Sequence, residues 1–174
     1  MTAAGAGRAA FVLTASDRSA AGERDDASGQ VVEERLAGLG FAVERRVVPD
    51  DRRAIEDAIR EAARTHRLVV TTGGTGLTPR DVTPQATQAV IDYEVPGLAE
   101  AMRAAGRAIT PLADLSRGLA GVVGRALVVN LPGSPKGALE SLEALVPVLD
   151  HALETLEGPF DHAASGQPEA AGSH

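Results

Sequence analysis

Cysteine is absent from this chain of 174 residues, tryptophan is absent too, and only 2% of the residues are aromatic. The absence of cysteine excludes disulfide bonds, thiol catalysis and zinc sites of the cysteine type, and it leaves any metal to oxygen ligands or histidine. The shortage of aromatic rings argues against nucleic-acid binding by base stacking. A hydrophobic core must therefore be built mainly from Ala, Val, Leu and Ile.

Excess positive charge and long apolar runs are also missing. The formal net charge is −7, the reverse of what binding to a nucleic-acid backbone needs, and no basic cluster interrupts the mixed pattern. No apolar run approaches the roughly 20 residues of a membrane span, and residues 1–8 lead into a strand instead of a signal-peptide core. We therefore expect a cytoplasmic protein that binds neither nucleic acid nor membranes.

Histidine offers no metal site in this sequence. The four histidines have no spacing typical of metal ligands, and we expect all of them at the surface or in the tail: His66, His151, His162 and His174.

Short apolar runs alternate with helical periodicity along the chain. The runs predict strands at 9–14, 41–48, 68–72 and 126–131, and the periodic segments predict helices at 28–39, 51–66, 84–93, 96–107 and from 135 onward, with 108–124 unassigned. Because βαβ crossovers are right-handed, this order predicts an α/β fold in three layers, with a mostly parallel sheet and helices on both faces. We expect one domain over residues 1–157, followed by a flexible polar tail over residues 158–174.

A glycine-rich loop follows the third predicted strand. Gly73, Gly74 and Gly76 permit positive φ angles and a close approach of the backbone to a ligand, so several N–H groups can point at one phosphate. Thr83 and Pro84 then resemble an N-cap and a first helical residue. The alternative interpretation is a tight strand-to-helix connection with no ligand.

Polar residues follow every predicted strand, at 14–17, 48–50, 72–81 and 130–136. Ligands of parallel α/β sheets bind outside the carboxyl ends of the strands, so we expect these four loops to meet along one edge.

Two acids on that edge, Asp50 and Asp81, each lie between a strand and a helix. Each could simply stabilise the N-terminus of the helix that follows, Asp50 as an N-cap. Beside a phosphate-binding loop, two carboxylates are instead what Mg²⁺ needs, since it combines a few carboxylates with phosphate oxygens and water. Arg80, Arg117 and Lys136 could add positive charge. Lys136 could instead be a solvated surface residue, but its place in a turn that follows a strand favours a phosphate contact.

Taken together, these motifs resemble the MogA/MoaB family of molybdenum-cofactor biosynthesis, over about residues 9 to 157. The matching segments are Pro49-Asp50, 72–76, 80–84, 115–117, 120–121 and 130–135. The resemblance implies a molybdopterin-binding-domain-like fold and a homotrimer. It also implies a molybdopterin adenylyltransferase, which transfers AMP from MgATP to the terminal phosphate of molybdopterin and releases pyrophosphate. The alternative is a molybdopterin-binding carrier or scaffold module without catalysis.

The resemblance also assigns roles to residues of this chain. Asp50 and Asp81 match the two catalytic aspartates that bind Mg²⁺. Thr14, Ser16 and Asp17 lie on the nucleotide side. The residues expected to bind the pterin and its phosphate are Gly73, Gly74, Thr75, Gly76, Thr78, Arg80, Ser116, Pro132, Gly133, Ser134, Pro135 and Lys136. A downstream molybdenum-insertion protein is a further expected partner.

Overall fold

The computed structural model describes residues 5–159. Six strands and six α-helices alternate along most of this part of the chain, with a 3-10 helix at Pro111–Leu115: β1 (Ala9–Ala15), α1 (Asp17–Ala20), α2 (Ala27–Gly38), β2 (Ala42–Val48), α3 (Arg52–Ala62), β3 (Leu68–Thr72), α4 (Thr83–Gln88), β4 (Tyr93–Glu94), α5 (Pro96–Arg107), β5 (Ala120–Val123), β6 (Ala126–Leu131) and α6 (Pro135–Glu157).

The strands form one sheet in the order β2-β1-β3-β6-β5-β4. The four strands predicted from sequence are its parallel part, with Thr14 opposite Val47 and Thr72, and Thr72 opposite Leu131. Strand β5 pairs antiparallel with β6, and the edge strand β4 pairs antiparallel with β5. The carboxyl ends of β2, β1, β3 and β6 therefore lie side by side, as a ligand edge requires.

Each face of the sheet carries its own apolar core. On one face, α2, α5 and α6 cover residues such as Val12 and Val70, with Leu36, Met102 and Leu142 among the buried side chains. On the other face, α3 and α4 cover Phe11, Val69 and their neighbours. Alternate residues of each central strand thus enter opposite cores, which gives the three layers predicted from the sequence.

The predicted helix at 84–93 is wrong in its second half. Helix α4 ends at Gln88, and the chain then forms the edge strand β4, which pairs with β5 from the stretch left unassigned. A strand of two residues is too short to show a period of its own, so the tertiary pairing decides its structure.

One expectation about helix caps is wrong, and so is the alternative that Asp50 caps α3. Val82, not Thr83, is the N-cap of α4, and the Thr83 hydroxyl is buried with no hydrogen-bond partner. Asp51, not Asp50, caps α3, because its carboxylate accepts a hydrogen bond from the N–H of Ala54 at 2.8 Å.

Other helix starts lie at or close to the predicted positions. Helix α2 begins one residue early, at Ala27, because Asp26 accepts a hydrogen bond from the N–H of Gly29 at 2.9 Å. Ser134 caps α6 through the N–H of Gly137 at 3.1 Å, and Pro135 takes the first helical position as predicted.

His66 is not at the surface, contrary to expectation. Its ring packs edge-on against Phe11 at a centroid distance of 5.2 Å, and Nδ1 lies 3.1 Å from the carbonyl oxygen of Ala62. His151 is exposed as expected, whereas His162 and His174 lie outside the described residues. Among residues 5–159, no helix is both long and apolar enough to span a bilayer.

Candidate active site

The loops that follow the parallel strands meet at one edge of the sheet, as predicted. The N–H of Ser16 donates to the carbonyl oxygen of Val48 at 2.9 Å, which joins the loops after β1 and β2. Gly73, at φ 89°, passes so close to the β1 end that a Cβ there would lie 2.4 Å from the carbonyl oxygen of Ala15. Only glycine fits this crossing, which holds the glycine-rich loop against its neighbour.

Asp17 and Asp50 are joined by reciprocal hydrogen bonds. The N–H of Asp17 donates to Oδ2 of Asp50 at 3.0 Å, and the N–H of Asp50 donates to Oδ1 of Asp17 at 2.9 Å. The second carboxylate oxygen of Asp17 accepts a hydrogen bond from the Arg80 guanidinium. Three loops, after β1, β2 and β3, are thus tied together through one carboxylate.

Asp81 is held inside its own loop. Its Oδ2 accepts hydrogen bonds from the N–H of Thr78 at 2.8 Å and from the Thr78 hydroxyl at 2.7 Å. Burial opposes ionisation of this carboxyl, but the bonds from Thr78 and from the Gly76 N–H, with the charge of Arg117, outweigh it and lower the pKa of Asp81. Asp81 is therefore ionised at neutral pH.

The pKa of Asp50 moves in the opposite direction. Partial burial is the larger cause of the raised pKa of Asp50, and the negative charge of Asp81 raises this pKa further. The negative charge of Asp81 thus acts on Asp50, although the two residues belong to different loops. Within residues 5–159, no three histidine, cysteine, aspartate or glutamate side chains are arranged so that they could hold a metal ion together.

Arg117 fixes the glycine-rich loop from the opposite side. Its side chain donates to the carbonyl oxygens of Gly76 at 2.7 Å and Asp81 at 2.6 Å, and its own N–H donates to the carbonyl oxygen of Thr75 at 2.9 Å. The sequence placed Arg117 among scattered cations near the site but gave no sign of this structural role, because backbone acceptors leave no pattern in a sequence.

A pocket of about 510 Å³ lies between the glycine-rich loop, α5, the 3-10 helix and the start of α6. The expected substrate residues along its wall are Thr75, Gly76, Ser116, Pro132 and Ser134. Arg103 and Asn130 also line it and were not among the expected site residues. The sequence did carry a signal for Asn130, because an asparagine inside the apolar run of β6 must be buried and a buried amide needs hydrogen-bond partners. Its side-chain amide donates to the hydroxyls of Thr71 and Thr87, both at 2.9 Å.

A second pocket, of about 340 Å³, lies beside the first and contains the expected nucleotide residues Thr14 and Ser16. The first residues of α2 and the N-cap region of α6 both line it, so two helices direct their positive ends toward the same space. Ser134 lines both pockets, while Gly73, Gly133 and Pro135 line the smaller one. Gly133 and Gly73 pack closely, since a Cβ on Gly133 would lie 3.2 Å from the Gly73 Cα.

The remaining expected residues differ in their surroundings. Thr14 is buried, and its hydroxyl donates to Asp26 at 3.0 Å. Gly74 adopts φ 66°, and a Cβ there would lie 2.4 Å from the Thr83 hydroxyl oxygen. The Lys136 side chain is 79% exposed and lies 3.8 Å from Glu140, at the start of α6.

Comparison with known proteins identifies the family of this chain. A family model described as "Probable molybdopterin binding domain" matches residues 11–151. Molybdopterin adenylyltransferase of Helicobacter pylori is 39% identical over 156 residues, covering 86% of this chain and 88% of that protein. The enzyme of the same name from Escherichia coli is 36% identical over 170 residues, covering 88% of this chain and 87% of its own.

The fold has close counterparts among solved structures. The molybdopterin biosynthesis enzyme MoaB from Thermus thermophilus superposes with a TM-score of 0.80 at 50% identity, covering 86% of this chain and 96% of that one. The three-layer architecture and the resemblance drawn from the sequence motifs are both confirmed. The chain belongs to the molybdopterin-binding-domain family of molybdenum-cofactor biosynthesis.

Proposed function

We propose that this protein is a molybdopterin adenylyltransferase that uses MgATP. The observation that carries the proposal is a pair of adjacent pockets that share Ser134 and both take wall residues from the glycine-rich loop, which leads to Asp81. Asp50 and Asp81 themselves line neither pocket. A reaction between two phosphate-bearing substrates needs two neighbouring sites and a means of balancing charge where they meet. Relatives of this name cover most of the chain, which supports the same assignment.

The larger pocket suits the pterin. Its walls combine apolar side chains such as Met102 and Leu115 with a few polar groups from Thr75, Ser116 and Asn130. A ring system can pack on the apolar part while the polar groups fix its orientation. Arg103 lies in the same pocket but is already engaged with the carbonyl oxygen of Gly118 at 3.0 Å, so it shapes the wall through the backbone.

The smaller pocket suits the nucleotide phosphates, because two helix N-termini face it and its lining is more polar. Phosphate groups would then lie where the pockets meet, held by Gly73, Gly74, Gly133, Ser134 and Pro135. Thr14 and Ser16 line this pocket and would face the nucleotide, whereas Asp17 follows them in the chain but is not part of the pocket lining. Thr78, Arg80 and Lys136 complete the proposed set, Thr78 by holding Asp81 in place.

Mg²⁺ fits the donors at this edge. Asp50 and Asp81 repel each other across the loops, and a divalent cation between them would remove that repulsion. Mg²⁺ commonly takes one or two protein carboxylates and completes its shell with phosphate oxygens and water, so two donors suffice. When bound, it would offset charge on the phosphates during transfer.

The transfer itself needs no nucleophile from the protein. An oxygen of the terminal phosphate of molybdopterin attacks the α-phosphorus of ATP, the bond from that phosphorus to the pyrophosphate oxygen breaks, and pyrophosphate leaves with the electron pair. The chain contributes position and electrostatics, which is what nucleotidyl transfer chiefly requires. The absence of cysteine is therefore no obstacle.

Several wider assignments belong to the same proposal. We place the active domain in residues 1–157, the protein in the cytoplasm as a homotrimer, and a molybdenum-insertion protein downstream of it.

The deciding experiment incubates purified protein with molybdopterin and MgATP and measures adenylylated pterin and pyrophosphate. Equal amounts of both products are expected, and the Asp81→Asn variant should form neither while it still folds. Molybdopterin binding without pyrophosphate release would instead identify the chain as a carrier or scaffold.

A further inference from the structure

Asp17 has a position that the proposed reaction does not yet explain. It is the first residue of α1, and its carboxylate points away from that helix toward the loops after β2 and β3. Ser16 already caps α1, through the N–H of Ser19 at 3.2 Å, so Asp17 is not needed for that purpose.

We propose that Asp17 is the positioning residue for Asp50, rather than a group that contacts the nucleotide. The inference rests on the proposed function, because it gives Asp50 a role in holding Mg²⁺. Its basis is the pair of reciprocal hydrogen bonds, at 2.9 and 3.0 Å, between the backbone of each aspartate and the carboxylate of the other.

The reciprocal bonds fix both the backbone and the side chain of Asp50. Oδ1 of Asp17 accepts a hydrogen bond from the N–H of Asp50 and so holds the Asp50 backbone. The N–H of Asp17 donates to Oδ2 of Asp50 and so holds the side chain, which leaves Oδ1 of Asp50 for another partner. Arg80 holds the other oxygen of Asp17 and so fixes the orientation of that carboxylate. A carboxylate with both oxygens engaged in this way is poorly placed to bind a nucleotide as well, and it would repel the phosphates.

The arrangement has the character of an outer-shell contact, in which a neighbouring group orients a metal-binding side chain. Loss of such contacts typically costs about 10–100-fold in metal affinity or activity. The Asp17 N–H holds Oδ2 of Asp50 at 3.0 Å, so a displaced Asp17 would release the carboxylate of Asp50 from its position. The effect of Asp17 should therefore appear in metal dependence.

Two substitutions separate geometry from charge. In Asp17→Asn an amide oxygen can still accept from the Asp50 N–H, but the charge that pairs with Arg80 is lost. In Asp17→Glu the charge remains, while the extra methylene displaces the oxygen from the Asp50 N–H. Asp51→Ala is a matched control. It removes a carboxylate next to Asp50 that accepts a hydrogen bond from the backbone N–H of Ala54 at 2.8 Å, but that bond serves only the cap of α3.

The test measures binding of a non-hydrolysable ATP analogue, α,β-methylene-ATP, by calorimetry with and without Mg²⁺, alongside transfer activity. In the wild type, Mg²⁺ should raise the affinity for the analogue. We expect this increase in Asp17→Asn to stay within about fivefold of the wild-type increase, because the variant loses only an exposed ion pair. Asp17→Glu should lose about 10–100-fold of that gain and of kcat, with unchanged affinity in the absence of Mg²⁺. Asp51→Ala should melt at a lower temperature but keep both the gain and kcat.

The opposite results are equally clear. If Asp17→Glu behaves like the wild type, Asp17 does not position Asp50. If both Asp17 variants lose nucleotide affinity in the absence of Mg²⁺, Asp17 contacts the nucleotide itself and does not act by positioning Asp50. If the wild type shows no Mg²⁺-dependent nucleotide binding, the proposed function fails together with this inference.

Discussion

The guanidinium of Arg117 donates a hydrogen bond to the backbone carbonyl oxygen of Asp81 at 2.6 Å, across 36 residues of sequence. The same side chain bonds the carbonyl oxygen of Gly76 at 2.7 Å, so one arginine spans both ends of the segment that carries the proposed metal-binding carboxylate. Asp81 therefore depends for its position on a residue from a different loop.

Arg117→Lys should loosen this segment. Lysine keeps the charge but lacks the planar fork that reaches two carbonyl oxygens, and hydrogen bonds of charged groups contribute about 1.5–3 kcal/mol. We expect unfolding to become easier by about 1–3 kcal/mol in a denaturant titration, and kcat to fall by at least about tenfold. Arg107→Lys is the control, because Arg107 pairs with Asp114 at the surface and should change stability by less than about 0.5 kcal/mol. Equal behaviour of the two variants would contradict the role of Arg117.

Asp50→Asn should abolish transfer without loss of stability. Asp51 caps α3, so Asp50 has no capping role to lose, and an asparagine oxygen can still accept from the Asp17 N–H. Because the pKa of Asp50 is raised in the folded protein, its ionised form lowers stability at pH values above that pKa, and a neutral amide removes this cost. We expect an unfolding free energy equal to or up to about 1 kcal/mol above that of the wild type at pH 7, after allowance for solvent screening. Activity close to that of the wild type would remove Asp50 from the mechanism.

The raised pKa of Asp50 can be tested separately from activity. Burial and then the charge of Asp81 cause the shift, so Asp81→Asn should bring the pKa of Asp50 down toward its ordinary value. The measurement is an NMR titration of carboxyl carbons in both proteins. The pKa of Asp114, which a hydrogen bond from Arg107 lowers, should be the same in both and serves as an internal control. An unchanged Asp50 pKa would mean that the two carboxylates do not interact.

The protein should be a trimer in solution at micromolar concentration, with an interface on the apolar, small-residue faces of its helices. Light scattering coupled to size exclusion gives the mass directly. Addition of MgATP should leave the mass unchanged, because we place the ligand edge outside the interface. A monomer would contradict the prediction.

Deletion of residues 163–174 should leave folding and transfer intact. These residues lie outside the described part of the chain, and their Gly, Pro, Ala, Ser and His content lacks an apolar period that could offset the entropy of ordering. Melting temperature and kcat of the truncated protein provide the measurement. If activity falls while the fold is retained, the tail covers the site and its composition was misinterpreted.

The sequence was sufficient for the parallel part of the sheet and for the edge where the loops meet. Runs such as Leu68-Val69-Val70 are long enough to identify a buried strand, and the crossover rule then decides which ends lie together. The antiparallel strands β4 and β5 were not predicted, because Tyr93–Glu94 is defined only by its pairing with β5, a contact between segments far apart in sequence.

The site was predictable in its members but not in their connections. Asp50 and Asp81 could be selected because each follows a strand, but an acid before a helix and an acid beside a phosphate look alike in a sequence. Which of two neighbouring aspartates caps α3 depends on backbone angles: Asp51 adopts an extended φ of −115° and so reaches the Ala54 N–H. The link between Asp17 and Asp50 joins residues on separate loops, and no local pattern can predict it.

The contact between Gly73 and Gly133 has a consequence for the order in which the protein acquires its activity. Gly73 follows β3 and Gly133 follows β6, the last strand of the sheet to be synthesised, so the boundary between the two pockets forms only when the end of the sheet is in place. Ser134, which both pockets share, arrives at the same moment. A chain that stops before β6 contains the glycine-rich loop and both aspartates in its sequence but lacks Gly133 and Ser134, and so lacks the boundary between the pockets and the residue that they share. Substrate binding would therefore report that the sheet is complete.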